Sequence, residues 1–390
     1  MPKPKPNGRA LLLVLLLWGA GLGAAAQFAK MAVVLPELSL LYPGRGAAIG
    51  FLFSLISLLG VVLGLVAGWF SARVGLRRLL LAALVLGALT SLAQALLPPF
   101  PVMLASRVIE GLSHLGIVVT APTLIGTLAP GPSRGAAMTL WGTFFGVAFA
   151  VTAWLGVPFA QDAGVDALFL AHATYMAAMA ALLWRLLPVD AAVASQAEPL
   201  DLGAVMRRHR AAYTSPRISA PALGWVFYTA TFVALVTVLP ARLPEEARTF
   251  VASAMPIASI VVSMTLGIAL LRVASAVQVV ALGFVVAIPL SLGFLIWPDS
   301  VWLPVILVGA LGLIQGASFA AIPQLNESTA DQALANGAVA QMGNTGNLLG
   351  TPVLLAVVGW LGLPGMVGLL VAAYACGLAA HAVTARARAR

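Results

Sequence analysis

Three charged residues stand inside stretches of sequence that are otherwise apolar: Lys30, Arg107 and Glu110. A charge in the middle of an apolar helix costs about 2.5–3.5 kcal/mol on insertion scales, so each of the three asks for a partner or a task. Arg107, Glu110 and His114 are spaced i, i+3, i+7, which puts them on one face of a helix. A carboxylate held near cations can carry a coupling proton or close a gate, with Lys30 or Arg107 as its partner. The plainer reading is a structural Arg107–Glu110 pair, with Lys30 reaching its ammonium to the membrane surface. Both readings stay open on sequence alone. For His114, a neutral ring bonded to a neighbour is the expectation, although an imidazole can also switch charge near neutral pH.

Uncharged polar residues add further candidates. Gln315 lies at a depth matching His114 in its own apolar run and could donate to a solute. The run near 335–358 holds Asn336, Gln341, Asn344, Thr345 and Asn347 among Gly343, Gly346 and Gly350, with Pro352 after them. Amides and small residues in lipid mostly join helices, and only Gln341 and Asn344 are placed deep enough to face a solute. Trp141, Phe145, Trp225 and Tyr228 could stack a flat ring, though interfacial anchoring suits the tryptophans equally. His172 and Met176, with Met179, share a face and are soft donors for Cu(I), but methionines commonly fill packing gaps. No Walker-type glycine loop, His-Glu-x-x-His or Gly-x-Ser-x-Gly occurs, so ATP-driven transport and hydrolysis are not indicated. No cofactor and no enzymatic activity are expected.

These residues must be positioned by helices in lipid. Hydrophobic residues make up 61% of the 390 and charged residues 8%, a balance that no soluble domain of this size could bury. Runs long enough to cross a bilayer lie near 10–35, 47–70, 78–97, 102–128, 136–158 and 167–187, then near 219–240, 249–271, 276–297, 301–322, 335–358 and 364–384. This predicts an all-α membrane protein of twelve transmembrane helices with both termini on one side. The loops on that side hold Lys3, Lys5, Arg9, Arg73, Arg77, Arg78, Arg134, Arg185, Arg207, Arg208, Arg210, Arg217, Arg272, Arg386, Arg388 and Arg390, whereas the opposite loops hold Arg45, Arg242 and Arg248. The asymmetry places the termini in the cytoplasm, and it explains the net charge of +9 without nucleic acid. Lys3, Lys5 and Arg9 before Leu11–Trp18 have the make-up of a signal peptide, but the apolar run continues through Met31–Leu35. Cys376 is expected as inert packing. At 1.5 Å per residue, Arg107 lies roughly 8 Å and Glu110 about 12 Å below the outer surface, a depth that Lys30 shares.

The chain also repeats itself at an offset of about 200 residues. Gly68–Val74 matches Gly267–Val273, Gly116 and Pro122 match Gly316 and Pro323, and Arg134–Ala136 matches Asn336–Ala338. Two six-helix halves follow, 1–187 and 219–390, joined by a cytoplasmic linker, 188–218, with an amphipathic piece around Leu202–His209. Parallel repeats of this kind put the substrate path between the halves.

The segment Gly68-Trp-Phe-Ser-Ala-Arg73-Val-Gly75-Leu-Arg77-Arg78 resembles the loop signature of the major facilitator superfamily, and Arg107-Val-Ile-Glu110-Gly-Leu-Ser-His114-Leu-Gly116 is similar to that family's intramembrane arginine motif. The resemblance spans the chain. It implies two pseudo-symmetric six-helix bundles, alternating access, a conformational gate at Gly68, Arg73, Gly75, Arg77 and Arg78, and a cavity lined by the first, fourth, seventh and tenth helices, where Lys30 could meet Glu110. Ala72 stands where the family usually has aspartate, and the helix-five signature of drug/proton antiporters is missing from 142–158. The first argues against a charge relay through that position, and the second against multidrug efflux and for uptake or facilitated exchange. Gln27–Met31, Ser106–His114 and Leu140–Gly146 resemble the CcoA-like group of copper and riboflavin importers. Its copper branch carries methionine and histidine pairs in helices 7 and 8, whereas here helix 8 has only Met255 and Met264 and helix 7 has neither residue. The sequence therefore predicts a monomeric secondary transporter in the bacterial inner membrane. It would take up a small polar or aromatic organic solute, riboflavin-like, with protons as coupling ion. Copper import, drug or metabolite efflux, and a non-transporting sensor or assembly factor of the same fold are the alternatives.

Overall fold

The computed structural model of the protein describes residues 8–65, 74–128, 137, 140–188 and 202–389. Among them there is no strand, and eleven helices are long and apolar enough to cross a membrane. In chain order these are α1 (Gly8–Ala32), α2 (Gly46–Leu63), α3 (Leu76–Ala95), α4 (Phe100–Leu128), α5 (Phe144–Ala163), α6 (Val165–Leu186), α7 (Ser219–Ala241), α8 (Glu245–Leu270), α9 (Ala276–Gly293), α10 (Trp302–Leu325) and α11 (Thr329–Ala389). Lipid offers backbone groups no partners, so helices that satisfy their own are the form these apolar runs must take. Each coincides with a run expected from the sequence. The last two runs merge into α11, whose 61 residues contain two helices meeting at Gly362. There φ is +62°, a left-handed setting that disfavours any side chain, and Pro364 follows within two residues.

The first six helices pack among themselves, with α1 against α4, α5 and α6, and α3 between α4 and α6. The later helices do likewise, with α7 laid along α11 and α9 against α10 and α11. Across the two groups α2 meets α11 and α5 meets α8. Small residues set these distances. A methyl group built on Gly50 of α2 would stand 2.7 Å from the Pro352 backbone of α11, and one on Gly343 would stand 2.7 Å from the Trp225 ring of α7. The glycines of α11 thus make close helix–helix contacts, while of its polar side chains Gln341 reaches α2 and Asn336, Asn344 and Thr345 bond back within α11. Two of the helices carry π-helical turns, Thr152–Gly156 in α5 and Ser263–Gly267 in α8. The amphipathic linker piece is a helix, Leu202–Thr214. It reaches α11 through a Tyr213 hydroxyl donating to Gln341 Oε1 at 2.7 Å.

Exposure is uneven along the contact between the two groups. Every residue of α7 from Thr231 to Pro240 is buried, whereas Trp225, Val226 and Phe227, nearer the termini end, are half-buried. On α10 the stretch Leu307–Ile314 is buried, and Gln315, Gly316 and Phe319 are accessible. Along these two helices burial is complete toward the end away from the termini and partial toward the end that bears them.

Candidate functional site

The intramembrane charges converge. Lys30 is 1% exposed and Arg107 and Glu110 are fully buried. Lys30 Nζ lies 2.7 Å from Glu110 Oε1, while Arg107 donates to Glu110 Oε2 from one turn earlier on α4. The carboxylate therefore serves both cations at once, and the surface-reaching Lys30 is excluded by its burial. Lys30 donates its other two protons to Ser91 Oγ at 2.5 Å and Gln94 Oε1 at 2.7 Å, both on α3. Three acceptors around one nitrogen fit an ammonium. Arg107 directs its remaining donors to backbone oxygens, Nε to Leu52 at 2.7 Å and Nη2 to Gln27 at 2.8 Å. Gln94 closes the circuit, donating to Glu110 Oε2 at 2.8 Å and Ser106 Oγ at 3.1 Å.

His172, considered from sequence as a soft metal donor with Met176, belongs to this network instead. Its Nδ1 is 2.7 Å from Ser91 Oγ and its Nε2 is 3.0 Å from the Gly23 carbonyl, the pattern of a neutral ring donating from Nε2. Met176 fills the gap over Gly23 and Gly87, where an added methyl group would stand 2.5 Å from its side chain. Among the described residues no group of three or more His, Cys, Asp or Glu could hold a metal ion. His114 is buried apart from the cluster, with Nδ1 3.1 Å from the Ala24 carbonyl and the ring edge-on to Phe28.

The other candidates spread over three places. Gln341 donates to the Val61 carbonyl at 2.7 Å and approaches His209 at 3.1 Å, so it joins α11 to α2 and to the linker helix. Asn344 bonds back to Ala340 and packs over Gly60. Gln341 is buried in this joint, whereas Asn344 stays partly exposed beside Gly60 of α2. Gln315 accepts from Ser259 at 2.9 Å, and its amide nitrogen has no protein partner among the described residues. Tyr228, 3% exposed, stacks on Trp225 at 4.5 Å and on Phe232 at 5.3 Å. Phe232 in turn reaches Phe145 at 6.4 Å, and Phe145 lies 5.6 Å from Phe28. A line of rings thus runs from α1 through α5 to α7 and ends at Phe319 of α10, 5.1 Å from Trp225. Trp141, ahead of α5, stacks with Phe144 at 4.5 Å beside this line. Cys376 is exposed on its helix instead of packed.

Of the gate motif, Gly68 and Arg73 lie outside the described residues. Gly75 is buried with φ of +94°, forming the left-handed turn that opens α3. Arg77 donates to the carbonyls of Trp184 and Leu187, at 2.5 and 3.0 Å, and so caps the end of α6 with a cation where the helix dipole is negative. Arg78 is exposed. Sequence reasoning missed Ser91, Gln94, Ser106 and Gln27, the last of which donates to Ser113 at 2.8 Å. The available signal was Ser91 and Gln94 at i, i+3 in an otherwise apolar run.

The ion cluster lies buried within the first group of helices, and the line of rings crosses from that group to the second. No match is found among curated proteins. A comparison with protein families matches residues 13–352 to the Major Facilitator Superfamily, and the chain belongs to that family of membrane transporters.

Proposed function

We propose that the protein is a secondary importer of a small, flat, aromatic organic solute, working by alternating access between two six-helix halves, 1–187 and 219–390. The observation that carries this reading is the line of rings Phe28, Phe145, Phe232, Tyr228 and Trp225 across the contact between the halves. Rings at 4.5–6.4 Å can exchange a neighbour for the face of a solute ring at little cost, since stacked aromatic pairs contribute about 0.5–1.5 kcal/mol beyond burial. Gln315, with a free amide, supplies a hydrogen bond at the open end of that line.

In this reading Gly362 divides α11 into two crossings, making twelve, and the basic loops place the termini and the open end in the cytoplasm of a bacterial cell. Riboflavin is the named candidate, through the resemblance to the CcoA-like group. Protons are the coupling ion, acting on the cluster of Lys30, Glu110 and His172. The test is uptake of labelled riboflavin by a riboflavin auxotroph expressing the protein, beside Tyr228→Leu and a copper-uptake assay. Riboflavin accumulation that falls about tenfold in Tyr228→Leu, the order expected when roughly 1.4 kcal/mol of stacking is lost, supports the reading. Growth unaffected by the protein, or copper uptake in its place, refutes it.

A further inference from the structure

The ion cluster is one negative charge short. Lys30 and Arg107 share a single carboxylate, Glu110, and His172 bonds as a neutral ring. Among the described residues no other acid forms an ion pair with either cation or acts electrostatically on Lys30. A fully buried group of net charge +1 in a membrane is costly, and an anion placed beside it would lower that cost.

Space for one exists against Lys30. A cavity of about 360 Å³ lies between α1, α5 and α6, with Lys30 and His172 in its wall. That volume is in the range of small-molecule sites. The rest of its lining is mainly apolar, including Val151, Leu155 and Phe159 of α5 and the ring of Tyr175 of α6. These four side chains are 45%, 58%, 43% and 38% exposed. They lie on the face of α5 and α6 turned away from the other helix group, so the cavity opens sideways toward lipid tails and away from the ring-lined contact between the halves. The π turn Thr152–Gly156 forms its wall. Such turns fit one extra residue into the helix and recur at binding sites.

We infer that this lateral cavity binds an amphiphilic carboxylate drawn from the bilayer, with its head at Lys30 and its single hydrocarbon tail along α5 and α6. The apolar walls and sideways opening select the tail, and the uncompensated charge of Lys30 and Arg107 selects the head. A carboxylate entering at Lys30 Nζ replaces the Ser91 hydroxyl or the Gln94 amide, both uncharged acceptors, and leaves the Glu110 contact intact. Opposite charges attract more strongly in a low-dielectric interior than an ammonium and an uncharged acceptor do, which favours that exchange. The site is independent of the solute carried between the halves.

The test is equilibrium binding of radiolabelled oleate to the purified full-length protein, with unlabelled oleate, methyl oleate and acetate as competitors. Saturable oleate binding is expected. Methyl oleate should compete at least about tenfold more weakly, for loss of a charge-assisted contact worth roughly 1.4 kcal/mol, and acetate should not compete. Ala171→Trp fills the cavity from an exposed position on α6 and should abolish binding while riboflavin uptake persists. Lys30→Met should remove the preference for oleate over its ester. Equal competition by the ester in the unaltered protein overturns the role of charge. Saturable binding undiminished in Ala171→Trp puts the ligand elsewhere, and absence of saturable binding removes the site. The first and last of these readouts need no variant, so misfolding of Lys30→Met leaves the inference testable.

Discussion

Glu110 is the residue on which the buried cluster depends, and the arrangement fixes an unusual order of mutant stabilities. Glu110→Gln leaves Lys30 and Arg107 facing each other across a neutral amide, raising the cluster from +1 to +2. Breaking buried ion pairs by removing one partner costs about 3–5 kcal/mol, and here one substitution breaks two. Lys30→Met takes the cluster to zero. It leaves Glu110 paired with Arg107 and Gln94, so its cost is the loss of donors to Ser91 and Gln94, about 1–3 kcal/mol. The double variant returns to +1, with Arg107 still bonded to the Leu52 and Gln27 carbonyls. Lys30→Met should therefore rescue part of the damage done by Glu110→Gln. A coupling of about 1–3 kcal/mol is expected for residues in direct contact. The assay is thermal unfolding of the purified protein in detergent, followed by size-exclusion profile. The expected order of Tm is unaltered protein, Lys30→Met, the double variant, then Glu110→Gln. A double variant less stable than Glu110→Gln, with losses that add, refutes the shared-carboxylate reasoning.

Three further outcomes are expected. Glu110→Gln should abolish proton-driven accumulation of riboflavin while counterflow exchange persists; unchanged pH dependence of uptake would move coupling out of the cluster. In a protein with Cys376 replaced by alanine, a cysteine at Asp299 should react with an impermeant thiol reagent applied to intact cells and one at Val273 should not; the reverse pattern inverts the orientation. Gly50→Leu should hold α2 off Pro352 of α11 and prop open the closed end, making a cysteine at the buried Thr237 reactive from outside; if Thr237 stays protected, α2 and α11 do not govern closure.

The helices were legible in the sequence because lipid imposes one rule on every crossing, and composition alone reveals where the rule applies. Lys30 and Glu110 were also legible, because charges in apolar runs stand out and helix rise converts position into depth. Which cation Glu110 serves was not. Depth is one coordinate, and the answer depends on the rotation of α1 about its own axis, which places Lys30 toward α3 and α4 together. Ser91 and Gln94 escaped notice because their partner Lys30 lies on another helix, and spacing does not tell which face of α3 meets it. The place of His172 in the cluster depends on which face α6 turns inward, which spacing alone does not give. The partners of Gln341 and Asn344 were hidden for a related reason: a glycine stripe sets how close the neighbouring helix lies, and Gly60 on α2 could not be paired with Asn344 from sequence.

Polar and apolar contacts are distributed in a way that suits motion. Every bond in the ion cluster joins residues of α1, α2, α3, α4 or α6, all preceding the linker. In surroundings without water these bonds have no competitor, so they bind that group of helices into one body. Contacts across to the later helices are of another kind: Phe145 with Phe232, Gly146 with Ile260, and Gly50 with Pro352. Such apolar contacts can slide or part without leaving a buried donor or acceptor unsatisfied, whose cost would be about 1–3 kcal/mol each. The named exception is Gln341, which donates to the Val61 carbonyl across the divide and accepts from Tyr213 of the linker helix. It lies toward the termini end. In the proposed alternating access, rocking about α2 and α11 keeps Gln341 bonded while the line of rings between α5 and α7 takes up the displacement.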